Sequence, residues 1–296
     1  MPSASQPHLG ATLASLRNGI NDPTTVTGPD WVARATIGPD GLPTALHARL
    51  GHDGTIEVTT PGADPVIVGS HPLFGDDDPG HDVVAVHPAV ASAMSAHGDV
   101  RLARTDTPYH ELIPAVLGQR VTAREAIGQW GRICRLWGDR VEIGGIQLHT
   151  PPRPDRLLSV PYHEWHLLGV ERRRAETVRN VARHGERLLT GWRTELNATD
   201  RTQSLRLIPG VGVWTAAVAG HIAFGDPDAL EFGDFHVKNT VAWALEGRAR
   251  GTDEEMHRAM EPYAGQRKRV LTWLTLAGWS APARGPRRRI LDVARL

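Results

Sequence analysis

Residues 207–239 constrain this chain more than any other stretch. The segment opens with Ile208-Pro209-Gly210-Val211-Gly212-Val213-Trp214-Thr215-Ala216-Ala217 and closes with Gly233-Asp234-Phe235-His236-Val237-Lys238-Asn239. Pro209 cannot carry the helix-like run 199–207 onward, because its ring removes a backbone donor and clashes with the preceding turn. Two glycines separated by one residue then permit a tight reversal. From Trp214 an apolar helical pattern restarts. The stretch reads as helix, Pro/Gly hairpin, helix. A helix N-terminus with free N–H groups beside bare glycine backbone is a seat for a phosphate and needs no basic side chain.

A Gly-x-Gly also opens dinucleotide-binding turns. Here that fingerprint is incomplete, no β-rich run precedes it, and Pro209 stands where a central strand would end. Downstream, Asp234 precedes the apolar pattern Phe235, Val237, Val241, Ala242, Ala244, Leu245. Taken alone, an Asp in that place is a helix N-cap, accepting a free backbone N–H.

The two halves together are more specific than either. Leu-Ile-Pro-Gly-Val-Gly-x-Trp-Thr-Ala at 207–216, followed by Gly-Asp-Phe-x-Val-Lys at 233–238, resembles the helix–hairpin–helix DNA glycosylase superfamily. Within it, the match is to the bacterial 3-methyladenine DNA glycosylase II branch. The resemblance implies that Pro209, Gly210, Val211, Gly212, Val213 and Thr215 grip the DNA backbone and that Asp234 is the catalytic carboxylate. It also allows a structural monovalent cation held by hairpin carbonyls; no other cofactor or metal is expected.

Composition narrows the class. Cys134 is the only cysteine, so an internal disulfide and a four-Cys iron–sulfur cluster or zinc ribbon are excluded. That sets the chain apart from the cluster-bearing branches of the superfamily. Met1–Pro7 has neither a basic start nor an apolar core, and no uncharged apolar run reaches membrane-spanning length. A cytoplasmic monomer is expected, its partner double-stranded DNA containing damaged bases. The net charge of zero conceals a split: residues 1–106 hold 5 Arg/Lys against 12 Asp/Glu, residues 107–296 hold 28 against 21. A polyanion-binding face belongs to the second part, where the hairpin is.

The same boundary divides the expected architecture. Residues 1–106 read as a small antiparallel α+β lobe: a leader helix at 11–17, then strand-like runs at 31–37, 44–50 and 55–60 separated by Pro-Asp-Gly and His-Asp-Gly turns. Asp76-Asp77-Asp78 reads as a solvated loop rather than a metal site. A short helix at 87–97 and a last strand at 100–104 complete the lobe. Residues 107–296 read as the all-α helix–hairpin–helix glycosylase domain, so the fold class is α+β. Its helices are expected at 109–118 and at 123–136, the latter opened by a Thr122/Glu125 capping box. A linker follows at 141–155. His163-Glu164-Trp165-His166 lacks the His-Glu-x-x-His spacing and reads as aromatic packing. A long helix is expected from Gly169 to 189, with Arg172–Arg174 as a solvated face or a DNA contact. Helical patterns resume at 235–246, 253–260 and after Pro262, before a basic tail at 284–289.

The resemblance also implies roles for single residues. Gln119 and Arg120 occupy the turn where the family places a DNA wedge; Arg120 either inserts or contacts phosphate, and Gln119 otherwise only ends its helix. Trp214 stands as a wall of the base pocket or as a core Trp of the second hairpin helix. Tyr109, His110 and Tyr263 are further pocket candidates. Val218 departs from the aromatic often found there in the alkylpurine branch. Lys238 is placed to touch phosphate or to tune Asp234. Bifunctional relatives carry a Lys where this chain has Trp214, and neither of its two lysines, Lys238 and Lys268, lies in the hairpin. A glycosylase without lyase activity is therefore expected, acting on alkylated purines. The alternatives are another damaged base, or a module that only binds DNA.

Overall fold

Period-two alternation along residues 31–59 builds a sheet with two buried faces. In the computed structural model, which describes residues 6–282, helix α1 (Gln6–Ala14) precedes a five-stranded antiparallel meander of β1 (Thr25–Thr27), β2 (Trp31–Ile37), β3 (Pro43–Leu50), β4 (Ile56–Thr59) and β5 (Val66–Val68). Neighbouring side chains leave a strand on opposite faces. Val32, Ala48 and Ile56 accordingly pack with Leu13, Leu16 and Phe74, while Ala33, Ala35 and Ala45 face the other way. β2, β3 and β4 lie where the alternation places them. β1 and β5 are three residues each, too short for a period to show. Residues 100–104 form no strand: the Arg104 N–H goes to the Pro72 carbonyl, and those of Thr105 and Asp106 go to the carbonyls of Ile222 and Ala223.

Among the described residues, the elements that follow are helical with one exception. α2 (Pro88–His97), α3 (Pro108–Leu117) and α4 (Ala123–Trp137) are followed by a hairpin of β6 (Arg140–Ile143) and β7 (Ile146–His149), where a linker was expected. Gly144 and Gly145 both take positive φ, the geometry of a two-residue hairpin turn, and alternating Val141, Ile143, Ile146 and Leu148 was its legible signal. Ile143 and Leu148 cover the Ala33/Ala35/Ala45 face of the sheet. Then come α5 (Pro154–Ser159), α6 (Tyr162–Leu167), α7 (Arg172–Arg183), α8 (Gly185–Thr190), α9 (Ala198–Ser204), α10 (Val213–Phe224), α11 (Phe235–Glu246), α12 (Asp253–Met260) and α13 (Arg267–Leu276). α3 is the central helix, packed against α4, α7, α8 and α10. Buried Trp165 meets Trp137 edge-on at 4.7 Å, as the aromatic reading of α6 expects.

Packing does not follow the 106/107 boundary. β6–β7, a separate two-stranded sheet, packs on the five-stranded one, and α2 packs on α13 with Val90, Met260, Val270 and Trp273 in one cluster. Three expectations about charged or capping residues need correction. Asp78 is not solvated; its carboxylate is 3% exposed and accepts from both Arg269 Nη atoms, at 2.6 and 2.8 Å. Arg174 is not part of an exposed face; it is buried and donates to the Leu117 carbonyl and Gln129 Oε1, each at 2.8 Å. Thr122 caps α4, but Glu125 turns away from the cap to Gln129 and Arg174. The long helix expected to 189 breaks at His184 into α7 and α8. The basic run at 284–289 lies outside the described residues. Among the described residues no helix is long and apolar enough to cross a membrane.

Candidate active site

After α9 the chain makes a 3₁₀ turn (Leu205–Leu207), buries Ile208, reverses at Gly210, buries Val211, and enters α10 through Gly212. Leu207 and Val213 remain exposed on either side of the reversal. Gly210 has φ +92°, and a Cβ on it would stand 2.3 Å from Thr177 Oγ1. Both left-handed backbone and close approach thus demand glycine. Gly210→Ala is expected to cost at least about 2 kcal/mol, read as a lower urea midpoint. A variant as stable as wild type would show that the reversal tolerates a side chain.

Two side-chain amides brace the turn. Asn180 Nδ2 donates to the Pro209 carbonyl at 2.9 Å. Gln119 Nε2 donates to the Gly210 carbonyl at 3.1 Å and to Thr215 Oγ1 at 2.8 Å. Gln119, Gly210 and Thr215 are therefore brought together, and Gln119 does more than end α3. Arg120, next in the chain, is exposed with φ +60°.

Asp234 is the N-cap of α11 and also meets the hairpin helix. Its Oδ1 accepts from the His236 and Val237 N–H groups at 2.7 and 3.0 Å, and its Oδ2 from Trp214 Nε1 at 2.9 Å. It is half-buried. Trp214 in turn walls a cavity of about 250 Å³ with Leu16, Val218, His221, Glu231 and Lys268. Burial, reinforced by Lys268, holds the His221 imidazole well below its ordinary pKa. Lys268 Nζ pairs with Glu231 Oε1.

The other pocket candidates do not line this cavity. Tyr109 is fully buried and donates its hydroxyl to the Pro152 carbonyl at 2.8 Å. His110 is fully buried between Thr24 and Thr36, with ring nitrogens 3.2 Å from each hydroxyl; burial and then Arg34 hold it well below its ordinary pKa. Tyr263 packs in the α2–α13 cluster. All three side chains are buried. Lys238 is paired with Asp253 at 3.1 Å, and Asp253 also receives the Gly233 N–H at 2.8 Å; the lysine braces the loop before Asp234 and does not contact its carboxylate. Glu231 and Lys268 escaped sequence reasoning; scarcity of lysine was the one available signal.

An antiparallel sheet followed by helices, with the braced Pro/Gly hairpin and Asp234 among them, superposes on solved DNA glycosylase structures. The chain has that α+β fold, and its motifs resemble those of the 3-methyladenine branch. No protein-family model matches the sequence. Two curated Mycobacterium tuberculosis sequences, from strains CDC 1551 / Oshkosh and ATCC 25618 / H37Rv, are each described as a probable bifunctional transcriptional activator/DNA repair enzyme AlkA. They are 29% identical over 174 residues, covering 53% of this chain and 33% of theirs. The chain thus spans about a third of the length of the curated relatives it matches. Among solved structures, the 3-methyladenine DNA glycosylase from Archaeoglobus fulgidus superposes with a TM-score of 0.65 at 17% identity, over 93% of this chain and 97% of that one. The Clostridium acetobutylicum 8-oxoguanine glycosylase/lyase, in complex with double-stranded DNA, gives 0.51 at 12% identity over 86% and 98%.

Proposed function

We propose that the chain is a monofunctional DNA glycosylase that hydrolyses the N-glycosidic bond of alkylated purines, of 3-methyladenine and 7-methylguanine type, flipped out of duplex DNA. It acts as a monomer, in the cytoplasm. The observation that carries the reading is the Trp214–Asp234 hydrogen bond, which joins a carboxylate to an aromatic residue that lines the cavity. The hairpin supports it by offering backbone N–H groups at the start of α10 to a phosphate. A base buried in the duplex must be extruded, and damaged bases unpair most cheaply.

As the bond from C1′ to the base nitrogen breaks, its electron pair leaves with the base and positive charge develops on the sugar. The Asp234 carboxylate stabilises that charge and accepts a proton from the water that adds to C1′. A base alkylated at N3 or N7 departs as a neutral molecule, so the step needs no strong acid. Strand cleavage through a Schiff base needs a free amine. Lys238 pairs with Asp253 and Lys268 with Glu231, and these are the only lysines in the sequence. The structural cation fits the same reading: the carbonyls of Ile208, Pro209 and Gly210 each accept one protein hydrogen bond and each keeps a second lone pair for an ion.

The test is base release from duplex DNA treated with a methylating agent. Free methylpurines together with alkali-labile abasic sites in otherwise intact strands are expected. Strand cuts without alkali would contradict the monofunctional reading. A second reading, removal of an oxidised or deaminated base, is favoured by Val218 and the charged Glu231–Lys268 pair in the cavity wall. Duplexes carrying 8-oxoguanine or hypoxanthine test it in the same assay.

A further inference from the structure

We infer that Glu231 and Lys268 read the Watson–Crick edge of the flipped base. The site then accepts purines that keep an N–H donor beside an acceptor on that edge and rejects bases methylated there. The inference rests on the glycosylase reading above and names its specificity determinants.

Glu231 is 7% exposed. Its Oε1 accepts from Lys268 Nζ, while its Oε2 is buried without a partner. The same cavity holds His221, whose Nδ1 is also unpartnered. A buried carboxylate oxygen without a donor is unfavourable and unusual in a folded protein. Glu231 lines the same cavity as Trp214, the donor to Asp234. Glu231 is also tied to the catalytic candidate through the backbone, since the Asp234 N–H donates to the Glu231 carbonyl at 3.1 Å. Trp214 therefore links the cavity that Glu231 lines to the proposed catalytic carboxylate.

The pair's chemistry selects its ligand. Oε2 accepts an N–H, and Lys268 has ammonium protons beyond the one given to Glu231. An adjacent acceptor and donor are what guanine presents as N1–H beside O6, and adenine as N6–H beside N1. Alkylation at N7 or N3 leaves both edges intact. A methyl group on N1 of adenine or N3 of cytosine replaces the acceptor and places a cationic ring against the ammonium. A site built to hydrogen-bond its substrate discriminates strongly against analogues lacking the matching group.

The experiment uses DNA methylated as single strands and then annealed, so that 7-methylguanine, 3-methyladenine, 1-methyladenine and 3-methylcytosine share one substrate. Wild type is expected to release the first two at least ~100-fold faster than the last two. In Glu231→Gln the ratio is expected to fall toward unity, with affinity for a tetrahydrofuran abasic duplex within about threefold of wild type. Lys268→Met provides the same ratio if Glu231→Gln does not fold. Comparable release of all four bases by wild type, or an unchanged ratio in a folded variant, overturns the inference while leaving the glycosylase intact. Release of none of the four sinks the alkylpurine reading and this inference with it.

Discussion

Asp234→Asn is expected to lower methylpurine release by about 10³-fold, while binding of an abasic duplex stays within a few-fold of wild type. Asn is as good an N-cap as Asp, and its amide oxygen can still accept from the His236 and Val237 N–H groups that now bond Oδ1. What the substitution removes is the negative charge beside Trp214 and one acceptor for Trp214 Nε1. Thermal stability should therefore change by no more than about 1 kcal/mol. A carboxylate at a helix N-terminus repels phosphate, so a module that only binds DNA would be indifferent to the change or bind more tightly. Single-turnover base release beside abasic-duplex affinity decides the matter. Release within tenfold of wild type would remove Asp234 from the chemistry.

Arg269→Met is expected to destabilise the fold by about 3–5 kcal/mol, because it strands the Asp78 carboxylate in the interior. The pair joins residues 191 apart in sequence, one in the loop after the sheet and one in the first turn of α13. Arg269 follows Lys268 directly, so the pair also holds in place the turn that carries Lys268 into the cavity. Burial alone would raise the Asp78 pKa. The Arg269 guanidinium and the N–H groups of Leu102 and Gly80 overcome it and hold the carboxyl below its ordinary value. The folded pKa thus lies below the unfolded one, near 3.9. The stabilisation is fully present above that value and is lost as the pH falls through the folded pKa. Urea titrations from about pH 6 down to pH 2 should show this acid limb in wild type and its loss in Arg269→Met. Replacing both partners by apolar residues should recover much of the stability. A single-variant cost under about 1 kcal/mol would mean that the pair is solvated.

Legibility followed the range of the interactions. The hairpin was readable because Pro209, Gly210 and Gly212 act on their own backbone, and Asp234 because a cap bonds the residues just after it. β2, β3 and β4 were readable from alternation. The β6–β7 hairpin was open to the same reading through Gly144-Gly145. Tyr109, His110 and Tyr263 lie away from the cavity that Trp214 lines, because residue type says nothing about direction: each lies on a helix or turn and packs inward.

By itself, then, the sequence determined the local devices: a reversal only glycine can make, an Asp that caps a helix, and strands whose alternation requires two covered faces. These depend on residues within a few positions of one another, where chain geometry leaves little choice. Tertiary structure alone decided which charges meet. Lys268 with Glu231, Arg269 with Asp78, and Gln119 with Gly210 and Thr215 are pairings across distant segments. They exist because burying a polar group is unfavourable unless another element delivers its partner, and no local pattern records which element that is.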